Sequence, residues 1–115
     1  MKVGKLPTHQ LESLLQGRVG TLRKDVLVLP GIGKDCGVVD FGEEVCIIST
    51  DPITGAAKRI GRLAVHVSCN DVAASGGEPI GVQIAILLPE SAADSVLTEI
   101  MDDVHQACSE LGITV

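Results

Sequence analysis

The sequence has no tryptophan and no tyrosine, and Phe41 is its only aromatic residue. Because single-stranded nucleic acid is commonly bound on stacked aromatic side chains, this lack argues against a nucleobase-stacking surface. Positive charge is also scarce. The 115 residues carry a formal net charge of −6 at pH 7, whereas a nucleic-acid groove or an anionic membrane surface requires a basic footprint. We therefore expect neither nucleic acid nor membrane among the partners.

The chain also lacks the cysteine spacing of a metal site and the leader of a secreted protein. Its four cysteines form no CxxC pair and no spacing typical of zinc, so we expect reduced, mostly buried thiols at Cys36, Cys46, Cys69 and Cys108. The amino terminus has no apolar signal core, and no apolar stretch approaches the roughly 18 uncharged residues of a membrane span. These absences predict a cytoplasmic protein.

Hydrophobic residues make up 45% of the chain, and they are mostly valine, isoleucine, leucine and alanine. A chain of this length buries roughly two thirds of its unfolded surface, so residues 1–115 are predicted to form a single domain. The predicted elements follow the order α, β, β, β, α, β, α, β. This interleaving favours an α/β (α+β) fold with a mixed β-sheet and helices on one face.

The first half of the chain is predicted to contain a short helix followed by three strands. Thr8 is placed to cap the helix, and Leu11, Leu14 and Leu15 form its apolar face. Apolar runs and the turn residues between them predict the strands, at Val26–Leu29, Val38–Val39 and Val45–Thr50, with a hairpin turn at Phe41–Glu44. The last strand leaves Asp51 at its end, just before a proline.

The second half contains the strongest strand pattern, at Ile80–Leu88, between two prolines. Both of its faces are apolar, and one layer of helices rarely covers both faces of a sheet. The apolar face that the helices leave uncovered is predicted to meet another subunit or a further domain. The last helix begins with a capping-box-like Ser91 and Asp94 and ends at Gly112, with an apolar stripe of Ala93, Leu97, Ile100, Val104, Ala107 and Leu111.

The stretch Ile60–Pro79 predicts a central helix that ends near Gly76 or Gly77. Its apolar stripe is spaced at alternating steps of four and three residues, at Ile60, Ala64, Val67 and Ala74. Asp71 falls on the same stripe, with Asn70 beside it. A carboxylate on a buried face is costly without a partner. Either the helix turns Asp71 to an edge, or a cation, a metal or backbone donors meet it there; a merely half-solvated pair is equally consistent.

A glycine-spaced loop, PGIGKDCG, places Lys34 and Asp35 at its tip. It lacks the GxxxxGK[ST] spacing of a phosphate-binding P-loop, and GxG alone is a weak signal. The basic pair Lys58 and Arg59 is interpreted as solvated surface in preference to a phosphate contact. His9 and His105 are interpreted as solvated helix residues.

Three stretches together resemble the amino-terminal domain of the aminoimidazole ribonucleotide synthetase superfamily. They are GIGKDCGVVD from Gly31, STDPITG from Ser49 and IGRLAVHVSCNDVAASGGEP from Ile60. The superfamily also includes formylglycinamide ribonucleotide amidotransferase, selenophosphate synthetase, thiamine monophosphate kinase and the hydrogenase maturation protein that forms the nitrile ligand. NDVAASG followed by a proline is the most specific part, and DPITG favours the group similar to the hydrogenase maturation protein.

The resemblance implies ATP and Mg²⁺ as cofactors and a homodimer in which two sheets pair into a barrel. It implies an enzyme that activates or phosphorylates a small substrate or carrier. It places the magnesium ligands at Asp35, Asp51 and Asp71. It places the cofactor-binding positions at Gly31, Gly33, Lys34, Asp35, Asn70 and Gly76. Carboxylate oxygens suit Mg²⁺, and a glycine backbone permits close approach to phosphate.

Three departures from the family pattern matter. Lys34 stands where many members have the first of two adjacent aspartates, which removes one potential ligand and adds a cation that can touch phosphate. Cys36 and Gly37 replace a usual small pair, and Gly77 replaces an alanine. The family continues past this sequence into a glycine-rich segment and a second domain, so the C-terminal domain is expected to be absent here.

Two functions therefore compete. In the first, the chain is the dimer-forming, nucleotide-binding half of an ATP-dependent enzyme and is inactive by itself. In the second, it is a non-enzymatic stand-alone dimerisation or protein-interaction module whose carboxylates no longer act. Nucleotide titration with and without Mg²⁺ separates the two.

Overall fold

The computed structural model describes residues 5–55 and 58–115 and is mixed α/β. It divides into two compact units, one ending at Ile48 and the other beginning at Ser49. In chain order the elements are α1 (Thr8–Leu15), β1 (Val26–Val28), β2 (Cys36–Asp40), β3 (Val45–Ser49), α2 (Ile60–Ala74) and α3 (Asp94–Leu111). None of the described helices is long and apolar enough to cross a membrane.

The three strands form one antiparallel sheet in the order β1-β2-β3. Val26 of β1 pairs with Val39 of β2 and Val28 pairs with Val38, so the pairing register shifts between Val26 and Val28. The amide of Phe41 donates to the carbonyl of Glu44 at 2.9 Å and closes the predicted hairpin turn, in which Gly42 has a φ of 94° that favours glycine. The predicted strands and turn are confirmed, although the sheet of these strands is antiparallel and not mixed.

The N-cap of helix α1 lies one position before the residue predicted to cap it. Pro7 is its N-cap residue, Thr8 is already helical, and no side chain caps the helix. The prediction that Thr8 caps it is therefore wrong. The carbonyl of Pro7 accepts hydrogen bonds from the amides of Gln10 and Leu11, at 2.9 and 3.1 Å, and so begins the helix.

The unit from Ser49 onward is organised by the packing of α2 on α3. Its core consists of Val65, Cys69, Val104, Ala107 and Cys108. The two helices approach most closely at Gly61, where an added Cβ would overlap the carbonyl oxygen of Ile100 and lie 2.9 Å from Cβ of Asp103. This contact rotates α2 so that Gly61, Val65 and Cys69 are its buried residues. The predicted stripe through Ile60, Ala64 and Val67 is only half-buried, because it lies beside the contact face.

Helices α2 and α3 both end at the glycines predicted to terminate them. The amide of Gly77 donates to the carbonyl of Val72 at 3.0 Å beyond α2, and Gly112 ends α3 with a φ of 69°, so both predicted ends are confirmed. The start of α3 differs from the prediction. Ala93 is its N-cap and no side chain caps it, so the capping box from Ser91 does not form.

The segment Ile80–Leu88 is extended but is not a regular strand within the described residues. Its pairing to another strand is a single parallel bridge between Gly81 and Thr114, in which the amide of Val82 donates to the carbonyl of Thr114 at 2.9 Å. Val82, Ile84 and Ile86 are half-buried, whereas the alternate side chains are exposed, and Leu87 is 95% exposed. The prediction of a strand over the whole segment is therefore wrong. Only one face meets the helices of the single chain, and coverage of the other face by a second subunit or a further domain stays a prediction.

All four cysteines are free, and all but Cys46 are buried. Burial raises the pKa of the Cys69 thiol, with a further rise from the neighbouring Cys108. Burial likewise raises the pKa of the Cys108 thiol. The expectation of mostly buried, unpaired thiols is confirmed, and the two core thiols remain protonated at neutral pH.

Candidate functional site

A side-chain hydrogen bond joins the last residue of β3 to α2. The hydroxyl of Ser49 donates to Oδ2 of Asp71 at 3.1 Å, in a half-buried position. Ser49 is the last residue of β3 and Asp71 lies near the end of α2. The contact thus brings together two of the three motifs singled out from the sequence.

This contact shows what meets the Asp71 carboxylate, which the sequence places on the apolar stripe of α2. Asp71 is half-buried at the edge of the α2 contact face, since the packing at Gly61 turns the neighbouring face into the core. A carboxylate offers about four acceptor positions, and the Ser49 hydroxyl fills one of them. The group therefore keeps the capacity to bind a cation or further donors.

Asp51 lies two residues beyond Ser49 and is exposed. Two residues of extended chain span at most about 7 Å, so the backbone of Asp51 stays near the Ser49 hydroxyl and hence near Asp71. Both carboxylates belong to the unit that begins at Ser49. That these two carboxylates share one cation remains a prediction.

The carboxyl end of α2 supplies the remaining predicted positions of this unit. Asn70 is exposed. Gly76 has a φ of +85°, and a Cβ added there would meet no atom of the described structure within 4 Å. The backbone conformation therefore requires glycine at this position, while the space beside it is open. An open glycine backbone permits the close approach of a ligand.

The glycine loop belongs to the unit that ends at Ile48. The amide of Lys34 donates to the carbonyl of Gly31 at 3.3 Å, and Gly33 between them has a φ of +68°. Lys34 and Asp35 are exposed, and Cys36 then enters the sheet as a buried residue. The loop presents a lysine and an aspartate at the tip of a glycine turn. Convergence of Asp35 with the two carboxylates of the other unit remains a prediction.

The basic residues before and within α2 engage α3. Arg59 has a φ of 55°, and its Nε lies 3.9 Å from Oδ1 of Asp103. Arg62 Nη1 lies 2.6 Å from Oε2 of Glu110. The Arg62 hydrogen bond holds the pKa of Glu110 below its usual range, with smaller contributions from the charges of Arg62 and His66 and from a hydrogen bond of Gln106. These contacts support a structural role for the arginines. Lys58 is exposed, as are the predicted solvated residues His9 and His105.

Within residues 5–55 and 58–115, no group of three or more histidine, cysteine, aspartate or glutamate side chains is placed to hold a metal ion. The donors at the Ser49 contact are carboxylate and hydroxyl oxygens. Mg²⁺ prefers oxygen ligands and usually takes one or two carboxylates, completing its shell with water and phosphate oxygens. The chemistry of these donors fits Mg²⁺ carried by a phosphate ligand.

Ser49 is the residue that the sequence interpretation missed. It stands in the STDPITG stretch beside Asp51, whose carboxylate is the more usual type of magnesium ligand. A signal was available: a hydroxyl at the end of a strand, two residues before a predicted ligand, is well placed to hold a neighbouring carboxylate. Its partner could not be identified from spacing, since Ser49 and Asp71 are far apart in the chain.

Residues 33–115 match the family described as AIR synthase related protein, N-terminal domain. The chain is 33% identical to a selenide, water dikinase of Aeromonas hydrophila over 118 aligned positions, which cover 96% of this chain and 34% of that protein. It is 30% identical to a selenide, water dikinase of Rhizobium meliloti over 78% of this chain and 27% of that protein. It is 24% identical to a protein of Methanocaldococcus jannaschii named for hydrogenase expression and formation, over 70% of this chain and 26% of that protein.

The chain thus spans about a quarter to a third of the length of the curated relatives it matches. No solved structure is significantly similar to it. The family match begins inside the glycine loop and includes Asp35, Ser49, Asp51 and Asp71.

Proposed function

This chain belongs to the AIR synthase related proteins as their N-terminal domain, and on that premise we propose that it is the nucleotide-binding half of an ATP- and Mg²⁺-dependent enzyme. The enzyme activates or phosphorylates a small substrate or carrier. The observation that carries the proposal is the Asp71 carboxylate, half-buried and bonded to Ser49 at 3.1 Å, with Asp51 two residues further along the chain.

The chemistry of these groups suits a magnesium nucleotide. Phosphoryl transfer depends mainly on positioning and on electrostatic stabilisation of the phosphate oxygens, and Mg²⁺ supplies much of that stabilisation when bound. Asp71 and Asp51 would hold the cation. The glycine loop would approach phosphate oxygens through its backbone, with Lys34 as a cationic contact and Asp35 as a further magnesium ligand. Asn70 and Gly76 would contact the nucleotide.

Titration calorimetry with ATP, in the presence and absence of Mg²⁺, tests the proposal. ATP is expected to bind with Mg²⁺ and to bind at least tenfold more weakly without it. Asp71→Asn should reproduce that loss in the presence of Mg²⁺, because it removes the charge and keeps the shape. Asp102→Asn is the matched control, since Asp102 is an exposed carboxylate on α3. Equal ATP binding by the wild type and Asp71→Asn would contradict the site.

We also propose that the domain works as a homodimer formed through Ile80–Leu88. The exposed side chains of this segment alternate with the half-buried ones and include Ala85 and Leu87, of which Leu87 is 95% exposed. Ile80, at the start of the segment, is also exposed, by 85%. Beyond Val82 its backbone makes no hydrogen bond to another strand among the described residues. Open edges and exposed apolar rows favour pairing with a second copy. Light scattering should give a dimer, and Leu87→Glu should convert it to a monomer. A wild-type monomer at micromolar concentration would contradict the dimer.

By itself the 115-residue chain is expected not to turn over ATP. It spans 34% of the length of its Aeromonas relative. Removing a single stabilising contact from a transition state can cost about two to three powers of ten in rate. Catalysis by these 115 residues, assayed without the remainder of a protein of that length, should therefore be undetectable in a phosphate-release assay. Turnover that the wild type shows and Asp71→Asn loses would instead make this chain a complete enzyme.

The alternative function is a non-enzymatic dimerisation or protein-interaction module. The exposed apolar side of Ile80–Leu88 favours it, because a row of this kind serves association whether or not nucleotide binds. The same experiments distinguish the two functions. Self-association without any Mg²⁺-dependent ATP binding would favour the module, whereas both properties together favour the enzyme half.

A further inference from the structure

We infer that Ser49 is a positioning residue that fixes the Asp71 carboxylate for cation binding. The inference rests on the proposed function, in which Asp71 meets Mg²⁺. Its basis is the hydrogen bond from the Ser49 hydroxyl to Oδ2 of Asp71 at 3.1 Å, formed across 22 positions of sequence. Ser49 is not a ligand in this account, and it acts through the carboxylate that it contacts.

Both partners are held by regular structure. Ser49 is the final residue of β3, so the sheet limits its backbone. Asp71 lies on α2, whose other face is locked against α3 by Val65 and Cys69. An aspartate has two side-chain torsions, and its carboxylate would otherwise sample several orientations at this half-buried edge. The hydroxyl selects one of them.

The selected orientation leaves most of the carboxylate available. With one acceptor position of Oδ2 occupied, the remaining positions on Oδ2 and Oδ1 can face a cation and its waters. Hydrogen-bond partners of metal ligands orient those ligands, and their removal typically weakens metal affinity by about 10- to 100-fold. Because this contact is half-buried and the donor is a neutral hydroxyl, we expect an effect at the lower end, about 10-fold.

The test is Mn²⁺ binding measured by electron paramagnetic resonance in the presence of ATP, with Mn²⁺ as the spectroscopic substitute for Mg²⁺. Ser49→Ala should weaken Mn²⁺ binding about 10-fold without changing the number of sites. Ser49→Thr keeps a hydroxyl at the same carbon and should stay within about twofold of the wild type. Ser109→Ala, on the exposed side of α3, is the matched control and should have no effect.

A double-mutant cycle separates positioning from a general structural role. If Ser49 acts only through Asp71, then Ser49→Ala should weaken Mn²⁺ binding in the wild type and have no further effect in the Asp71→Asn background. Additive losses would overturn the inference. So would a Ser49→Ala variant that binds Mn²⁺ as tightly as the wild type. Circular dichroism checks that each variant is folded. If alanine unfolds the chain, Ser49→Cys carries the same test, because a thiol has similar size and is a weak donor.

The outcomes also separate this inference from the proposed function. A wild type that binds neither Mn²⁺ nor ATP overturns the proposed function, and the role of Ser49 falls with it. A wild type that binds both, with Ser49→Ala unchanged, leaves the proposed function in place and overturns the positioning role alone.

Discussion

Replacing Gly61 by alanine should destabilise the chain although alanine is the better helix former. In an exposed helix the change would stabilise by about 1 kcal/mol. At Gly61 the new Cβ would overlap the carbonyl oxygen of Ile100 and lie 3.0 Å from Cγ2 of Val104. The overlapped atom belongs to the backbone of α3 and cannot move aside as a side chain can, so the two helices must separate. Overpacking costs about 1–3 kcal/mol, and a backbone atom as the obstacle places the cost at the upper end of that range. The expected net loss is about 2 kcal/mol.

Urea unfolding followed by circular dichroism at 222 nm measures this loss. Intrinsic tryptophan or tyrosine fluorescence cannot be used, since the sequence has neither residue, but α2 and α3 dominate the helical signal. Gly37→Ala is the matched control. A Cβ there would lie 3.9 Å from the carbonyl oxygen of Ile48, an ordinary contact, so its stability should change by less than about 0.5 kcal/mol. A Gly61→Ala variant as stable as the wild type would refute the close helix contact.

Two further predictions concern titratable groups. Iodoacetamide should alkylate the exposed Cys46 well before Cys69 and Cys108, because burial raises the pKa of both core thiols and suppresses the reactive thiolate; mass spectrometry of the labelled chain checks the order, and equal rates would contradict the packed core. The second concerns Glu110, whose carboxyl pKa is lowered from 4.5, chiefly by the Arg62 hydrogen bond. A carboxyl group whose pKa is lowered by folding stabilises the folded state at pH values above its pKa in the unfolded chain. This stabilisation is lost as the pH falls through its pKa in the folded state. The stability difference between wild type and Glu110→Gln should therefore be present at pH 7 and shrink below about pH 4.5; a difference that does not change with pH would contradict the ion pair.

The sequence predicted the carboxyl ends of α2 and α3 and the β2–β3 turn correctly, although the side-chain caps expected from Thr8 and Ser91 do not form. Glycines with positive φ end α2 and α3 as expected, and the β2–β3 turn forms at the predicted residues. These features depend on backbone preferences of single residues, which a sequence displays directly.

The other errors concern contacts between residues that are distant in the chain. The buried face of α2 is set by the contact of Gly61 with α3, and a glycine contributes no hydrophobicity to a periodic pattern. The pattern therefore favoured the adjacent stripe through Ile60 and Ala64. Similarly, the apolar pattern of Ile80–Leu88 predicted a strand, yet among the described residues the segment pairs only through the parallel bridge between Gly81 and Thr114.

In the candidate site, too, single unusual residues could be identified from the sequence, whereas their distant contacts could not. Asp71 was identifiable because a carboxylate on an apolar stripe conflicts with burial, and the family resemblance pointed to the same residue. The hydroxyl that meets it was not identifiable, since its hydrogen bond joins residues 22 positions apart. A sequence without aligned homologues reveals which residues are unusual, but not which distant residues they contact.

If the proposed site is right, a cation carried by ATP meets the Asp71 carboxylate. Anomalous diffraction from crystals grown with Mn²⁺ and a non-hydrolysable ATP analogue locates that cation. We expect a manganese peak within coordination distance of Asp71, at about 2.1 Å as for Mg²⁺, with phosphate oxygens on the same ion and the Ser49 contact kept. A nucleotide bound elsewhere, or a manganese ion with no bond to Asp71, would contradict it.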